Sequence, residues 1–252
     1  MKLFLAMDIS VVVPIHNEAA NITVLVREIC TVLNDRHNYE VILVDDGSSD
    51  QTPELLRQLP RKYPQLRSIR HLDRCGQSTA LLTGIKYAAN PLIITLDGDG
   101  QNDPADMDKL LRLYKQAATE SIMIIGHRRR RRDTGWRRLS SAIANRVRSH
   151  LLKDETPDTG CGLKVFSRDL FLSLPYFDHM HRFLPALVKR TGGEVLSVEV
   201  NHRPRKGGRS HYGTLDRLAV GIIDLLGVMW LMKRNKIATT VTSEPGVKSN
   251  GT

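Results

Sequence analysis

The sequence of 252 residues contains only three cysteines, Cys30, Cys75 and Cys161, far apart in the chain. That excludes a disulfide framework and a cysteine-based zinc site, and it suits a reducing compartment. Aromatic residues are scarce at 5%, too few to build the stacking platforms that hold single-stranded nucleic acid. Long apolar runs are missing too. The N-terminal MKLFLAM carries a five-residue apolar run, whereas a secretory signal needs about 7–15 apolar residues and a small-residue cleavage site. Leu218–Met232 (LAVGIIDLLGVMWLM) is 15 residues long and broken by Asp224, against about 20 for a membrane span. The expectation is a cytoplasmic protein. Three motifs are also absent. Without G-x-x-x-x-G-K-[ST] there is no P-loop. Without G-x-G-x-x-G after a strand there is no dinucleotide-binding fingerprint. Without G-x-S-x-G there is no nucleophile elbow.

What is abundant is positive charge, +10 overall. It is concentrated. Residues 128–148 hold nine arginines and one aspartate, and residues 202–217 hold five cations and one aspartate, so the rest of the chain is slightly acidic. Such a balance predicts an anionic partner. Arg217, Lys233, Arg234 and Lys236 flank the apolar stretch. This stretch reads either as a helix lying in an anionic membrane surface or as a buried or homodimer-forming helix.

From residue 9 to 126, short β-branched runs alternate with amphipathic ones. Strands are predicted at Ile9–Pro14, Glu40–Asp45, Arg67–His71, Leu92–Leu96 and Ser121–Gly126. Helices are predicted at Asn21–Leu33, from Thr52-Pro53 with Asp50 as cap, at Gly76–Ala88 and at Pro104–Gln116. That alternation predicts an α/β fold with a mostly parallel twisted sheet flanked by helices. Gly76, Ala80, Gly84 and Ala88 recur every four residues, so their helix can lie close on the sheet. Beyond residue 126 the expected elements are a helix at Leu139–Leu152, a short strand at Cys161–Phe166, helices at Leu170–Leu174 and His181–Lys189, and a strand at Glu194–Val200. The organisation expected is one catalytic domain at 1–213, a C-terminal apolar helix at 214–236 and a disordered tail at 237–252.

Three strand-to-helix junctions place carboxylates just past strand ends: Pro14-Ile15-His16-Asn17-Glu18, Asp45-Asp46-Gly47-Ser48-Ser49-Asp50, and Asp97-Gly98-Asp99-Gly100-Gln101. Ligands of open α/β sheets bind along that edge. Asp97 and Asp99, separated by one glycine and followed by Gln101, form an all-oxygen donor set suited to Mg²⁺ or Mn²⁺ shared with phosphates. A nucleic-acid-binding reading leaves these acidic junctions unexplained, and no nucleic-acid partner is expected.

Taken together, VVVPIHNE (11–18), VILVDDGSSDQTPE (41–54), GQSTALLTGIKYA (76–88) and TLDGDGQNDP (95–104) resemble family-2 glycosyltransferases of the GT-A fold. The sequence is most similar to the dolichol-phosphate mannose synthase and polyprenyl-phosphate glycosyltransferase branch, over about residues 8–215. The resemblance implies inverting transfer of a hexose from a nucleotide-diphosphate sugar, GDP- or UDP-linked, to a polyprenyl phosphate on the cytoplasmic membrane face. It implies that Pro14, His16, Glu18, Val44 and Asp46 hold the nucleotide. Asp97, Gly98 and Asp99 would lie at its diphosphate, with Asp97, Asp99 and Gln101 on the metal. Arg128 and Arg205 would face phosphate, Lys206 and Arg209 would add cations, and Asp158 with Gly160 would form a turn near the acceptor. A phosphate acceptor is already ionised at neutral pH and so requires cations rather than a strong base. The alternative keeps the fold and takes a glycan hydroxyl as acceptor, which calls for a carboxylate base.

Overall fold

The computed structural model describes residues 6–128, 148–204 and 214–234. A seven-stranded sheet forms its centre, in the order β3-β2-β1-β4-β6-β5-β7. The strands are β1 (Asp8–Ile15), β2 (Asn38–Asp46), β3 (Leu66–His71), β4 (Leu92–Thr95), β5 (Ile122–Arg128), β6 (Lys164–Ser167) and β7 (Glu194–Val200). Helices α1 (Ala19–Leu33), α2 (Thr52–Lys62), α3 (Gln77–Lys86) and α4 (Met107–Gln116) connect the first five strands. Next come α5 (Arg168–Ser173), α6 (Leu184–Arg190) and α7 (Thr214–Lys233).

β1, β2 and β4 are almost wholly buried. Strands covered on both faces need such continuous apolar runs, which is why these three were visible in the sequence. Two cores result, one on each face. α1, α2 and α4 cover the face carrying Val11, Val13, Leu43 and Ile94. α3, α5 and α6 cover the face carrying Val12, Ile42, Val44 and Ile93. The small-residue row of α3 does what its spacing predicted. A Cβ at Gly84 would fall 2.4 Å from Val12 Cγ1 and 3.0 Å from Val44 Cγ2, so only glycine lets the helix sit this close.

Several boundaries differ from the sequence expectation. Residues 104–106 form a 3₁₀ turn before α4, where Asp103 accepts the Ala105 N–H at 3.0 Å. The helix expected from His181 begins only at Leu184, with Pro185 in its first turn. Before it lies another 3₁₀ turn, Met180–Arg182, led by His179 in the left-handed conformation (φ 61°). The strand expected at Cys161–Phe166 runs instead from Lys164 to Ser167, antiparallel between β4 and β5. The sheet is therefore mixed, with one reversed strand among six parallel ones. Of the helix expected at Leu139–Leu152, residues 148–152 lie within the described region and are helical. The tail beyond residue 234 lies outside it.

Candidate active site

The C-terminal ends of β1, β2 and β4 lie side by side, with Ile15 paired to Asp45 and Val12 to Thr95. All three acidic junctions thus meet on one edge. A cleft of about 800 Å³ opens there, lined by Pro14, His16, Glu18, Asp46, Asp97, Gly98 and Asp99, and by Gly160 across from them. That volume suits a nucleotide-sized ligand.

Backbone geometry fixes the first two junctions. Asn17 adopts φ 55°, and its side-chain oxygen accepts the N–H groups of Ser49 at 2.8 Å and Asp50 at 3.3 Å. The His16 ring lies against the Asp46 carbonyl at 2.8 Å. Asp50 accepts the Thr52 N–H at 2.9 Å, as a cap should, and also the Ala19 N–H at 3.3 Å. One carboxylate therefore holds the starts of α1 and α2 together. Asp46 is buried and turned inward. It accepts the N–H groups of Cys75 and Gly76, both at 2.8 Å, and meets the His71 ring at 2.9 Å. Val44 is fully buried beneath α3, away from the cleft.

The third junction carries the electrostatics. Asp97 Oδ1 accepts the Gln77 amide at 2.8 Å, and its backbone N–H donates to Asn102 at 3.1 Å. Asp99 Oδ1 accepts the Gln101 N–H at 3.1 Å. Among the described residues no donor reaches the second oxygen of either carboxylate. Burial, and then the neighbouring Asp99 carboxylate, push the Asp97 carboxyl up to about 6, against the pull of Lys164 and Arg128. Two crowded carboxylates, each with an open oxygen, are the arrangement a hard divalent cation stabilises. The donor set fits Mg²⁺ or Mn²⁺. The backbone carbonyl of Gln101 accepts from Arg203 at 3.0 Å, and its side chain is not among the cleft-lining groups.

Lys164 was not singled out in the sequence. It is buried at the start of β6, lines the cleft, and donates to the Cys161 carbonyl. Burial lowers its pKa below the ordinary lysine value, while the Cys161 thiol and the Asp97 and Asp158 carboxylates oppose the shift. Its signal was a lone lysine inside the apolar run Leu163–Phe166, since buried lysines are rare unless paired.

Arg128 and Asp158 form a pair. Arg128 Nε reaches Asp158 Oδ2 at 2.7 Å and Nη2 reaches Oδ1 at 2.9 Å, and the Arg128 N–H adds a third bond at 3.2 Å. Their side chains are 10% and 5% exposed. Burial works against the guanidinium charge, yet the Asp158 contacts hold its pKa above the usual value. Removing one partner of a buried pair strands the other charge. Asp158→Ala is expected to destabilise the protein by about 3 kcal/mol, read by urea unfolding, and an unchanged midpoint would refute that role. Arg205, Lys206, Arg209 and Arg129–Arg132 lie outside the described residues. The chain leading to Arg205 is pinned beside the third junction. Arg203 bridges Glu28 at 2.6 Å and Asp103 at 2.7 Å, and His202 pairs with Asn102.

His181 also lines the cleft. Its Nδ1 meets Ser78 Oγ at 2.8 Å. Burial first, then Arg182, Lys164 and His179, push its pKa down to about 3. The folded state therefore holds a neutral imidazole between pH 3 and 6.5, where the unfolded chain binds a proton. This contribution to stability is complete above pH 6.5 and is lost as the pH falls toward 3. At pH 5 the loss is about 1–2 kcal/mol, solvent contact trimming the upper figure. His181→Gln is expected to flatten the acid limb of the melting-temperature profile, and a limb as steep as the parent's would contradict it.

Residues 10–174 match the family model described as glycosyl transferase family 2. A dodecaprenyl-phosphate galacturonate synthase of Rhizobium johnstonii is 33% identical over 233 residues, covering 90% of this chain and 68% of that protein. An undecaprenyl-phosphate 4-deoxy-4-formamido-L-arabinose transferase of Aeromonas hydrophila is 30% identical over 210 residues, covering 82% of this chain and 63% of that protein. The chain thus spans about two thirds of the length of these relatives. Glucosyl-3-phosphoglycerate synthase of Mycobacterium tuberculosis, in a crystal structure with Mn²⁺, UDP and glucosyl-3-phosphoglycerate, superposes with a TM-score of 0.64 at 18% identity, over 90% of this chain and 80% of that one. Mannosyl-3-phosphoglycerate synthase of Rubrobacter xylanophilus gives 0.64 at 16% identity, over 95% of this chain and 79% of that one. The two structures share the GT-A fold with this chain. With the fold, the ordered acidic junctions and the family match in agreement, the chain belongs to glycosyl transferase family 2 and is a glycosyltransferase.

Proposed function

We propose that this glycosyltransferase moves a sugar from a nucleotide-diphosphate donor to a polyprenyl phosphate at an anionic membrane surface. The observation that carries the reading is one of position. The cleft that holds Asp97 and Asp99 is also lined by Val220 of α7. On α7, Ile222, Ile223, Leu226 and Trp230 are exposed, by 51–69%. A polar, metal-competent cleft beside an unusually apolar surface suits an acceptor with a phosphate head and a hydrocarbon tail. The relatives named for dodecaprenyl and undecaprenyl phosphate support the same acceptor class. No helix among the described residues is long and apolar enough to cross a membrane, so α7 would lie on the surface.

Asp97 and Asp99 would hold Mg²⁺ or Mn²⁺, and UDP in the M. tuberculosis structure supports a nucleotide donor. When bound, the cation neutralises the departing diphosphate. Gln77 orients Asp97 by its amide bond. Lys164 places a buried positive charge beside the same carboxylate. Arg74 and Arg182 line the cleft and can attract anionic substrates into it. The acceptor phosphate attacks as a ready anion, so the residues facing it need to orient rather than deprotonate.

The test is to incubate the protein with Mg²⁺, labelled GDP- and UDP-sugars and undecaprenyl or dolichyl phosphate. Label passing into organic solvent supports the reading. Label found only in water-soluble glycan would overturn it in favour of a hydroxyl acceptor.

A further inference from the structure

We propose that the contact between Asp224 and His179 is a positioning device that transmits the seating of α7 on a lipid surface to the wall of the cleft. The inference rests on the lipid-surface reading above and adds to it how that surface acts on the site.

Asp224 is an acid within the apolar stretch of α7, with a side chain only 16% exposed. A carboxylate withdrawn from water in such a setting requires a partner. Its partner is His179, whose Nδ1 lies 3.1 Å from Asp224 Oδ2. His179 lines the cleft and holds a left-handed backbone that a non-glycine residue adopts at some cost. Two carboxylates keep it there, since Asp178 Oδ1 accepts the His179 N–H at 2.7 Å while Asp224 holds the ring.

The wall continues inward. Tyr176 OH meets Thr79 Oγ1 at 2.8 Å, and His181 meets Ser78 through both its ring and its N–H, at 2.8 and 3.3 Å. Ser78 follows Gln77, the residue that orients Asp97. Contacts and chain neighbours together therefore lead from α7 to the carboxylate edge, through His179–His181 and Gln77-Ser78. On its other side α7 presents Ile222, Ile223, Leu226 and Trp230, with Lys233 and Arg234 at its end. An apolar face ending in cations matches an anionic bilayer surface. The inner side of α7 is anchored in the core. Val228 is buried against the core that contains Leu184 and Leu187, and Arg190 donates to the Leu231 carbonyl at 3.0 Å. Leu225, Met229, Leu231 and Met232 pack against the same core, so α7 and the cleft wall share one packed layer and the seating of the helix can bias the wall that Asp224 grips.

The decisive variant is Asp224→Ala, with Asp224→Asn as the conservative one that keeps an acceptor in place. Two measurements are made on the full chain. In steady-state transfer, Asp224→Ala should raise KM for undecaprenyl phosphate in phosphatidylglycerol-containing vesicles about tenfold. The donor KM and turnover on soluble farnesyl phosphate should stay at parental values, and Asp224→Asn should recover most of the loss. In hydrogen exchange, the same vesicles without acceptor should slow exchange of residues 176–182 in the parent and not in Asp224→Ala, with flotation equal for both. Equal impairment on both acceptors, or identical exchange in parent and variant, would overturn the coupling. Absence of any lipid product from the parent overturns the acceptor reading instead, and the exchange measurement then still decides the coupling.

Discussion

Asp99→Ala is expected to lower transfer about 10³-fold while leaving the melting temperature of the metal-free protein unchanged or higher. The magnitude is that of removing one group preorganised around developing charge. The stability half follows from what Asp99 touches. Its only bond among the described residues is the Gln101 N–H at 3.1 Å, on a half-exposed turn where water can replace it. Its other effect is repulsive, since its carboxylate helps push Asp97 up to about 6. Removing it lets Asp97 ionise more readily and relieves the folded state above that pH. Activity and stability should therefore move in opposite directions. The checks are a label-transfer assay and melting curves with and without Mn²⁺, and the Mn²⁺-induced stabilisation should vanish. Full activity in Asp99→Ala would remove these carboxylates from the mechanism.

Gly162→Ala is expected to cost about 10²-fold in activity although it adds a single methyl group. A Cβ at this position would fall 2.3 Å from both Cγ and Oδ2 of Asp97, a separation that no real pair of atoms tolerates. Gly162 itself has little room to retreat, because Thr95 Oγ1 donates to its carbonyl at 2.7 Å. Asp97 must then turn away, losing the Gln77 amide and its place beside Asp99. A displacement of about 1 Å at a reacting centre costs on the order of 10²-fold, and overpacking adds about 1–3 kcal/mol of destabilisation. Gly227→Ala is the matched comparison, since nothing lies within 4 Å of a Cβ there. In the helix α7 it should be neutral or slightly stabilising. Comparing kcat and the Mn²⁺ requirement of the two variants checks the argument, and a Gly162→Ala enzyme with normal kcat and normal Mn²⁺ dependence would refute it.

The parallel half of the fold was legible because buried strands write their burial into the sequence. Val11–Val13 and Ile42–Val44 are apolar on both faces. The carboxylate edge was legible for a related reason, since junctions that follow parallel strands must all emerge on one side. β6 was not legible. Four residues, Lys164–Ser167, carry too little pattern to reveal direction, and a lysine at their head hid their burial. Side-chain orientation was equally beyond reach. Asp46 lines the cleft as expected, but the sequence does not show that the backbone amides of Cys75 and Gly76 bind its carboxylate. Arg128 and Asp158 each look like a group facing substrate, and instead they face each other. Val44 sits two positions before the end of β2, where the pleat turns its side chain into the core.

The reversed strand β6 also sets an order of assembly. β4 and β5 have no pairing of their own, because β6 lies between them. The first four strands can associate as soon as residue 95 has left the ribosome. β5 then waits for residues 164–167, and only their arrival carries Gly162 against Asp97. Contacts this distant in sequence form slowly. Until they form, two apolar strand edges stand open to other chains. A nascent chain halted before residue 164 should therefore aggregate through the same edges that the finished protein uses to close its active site.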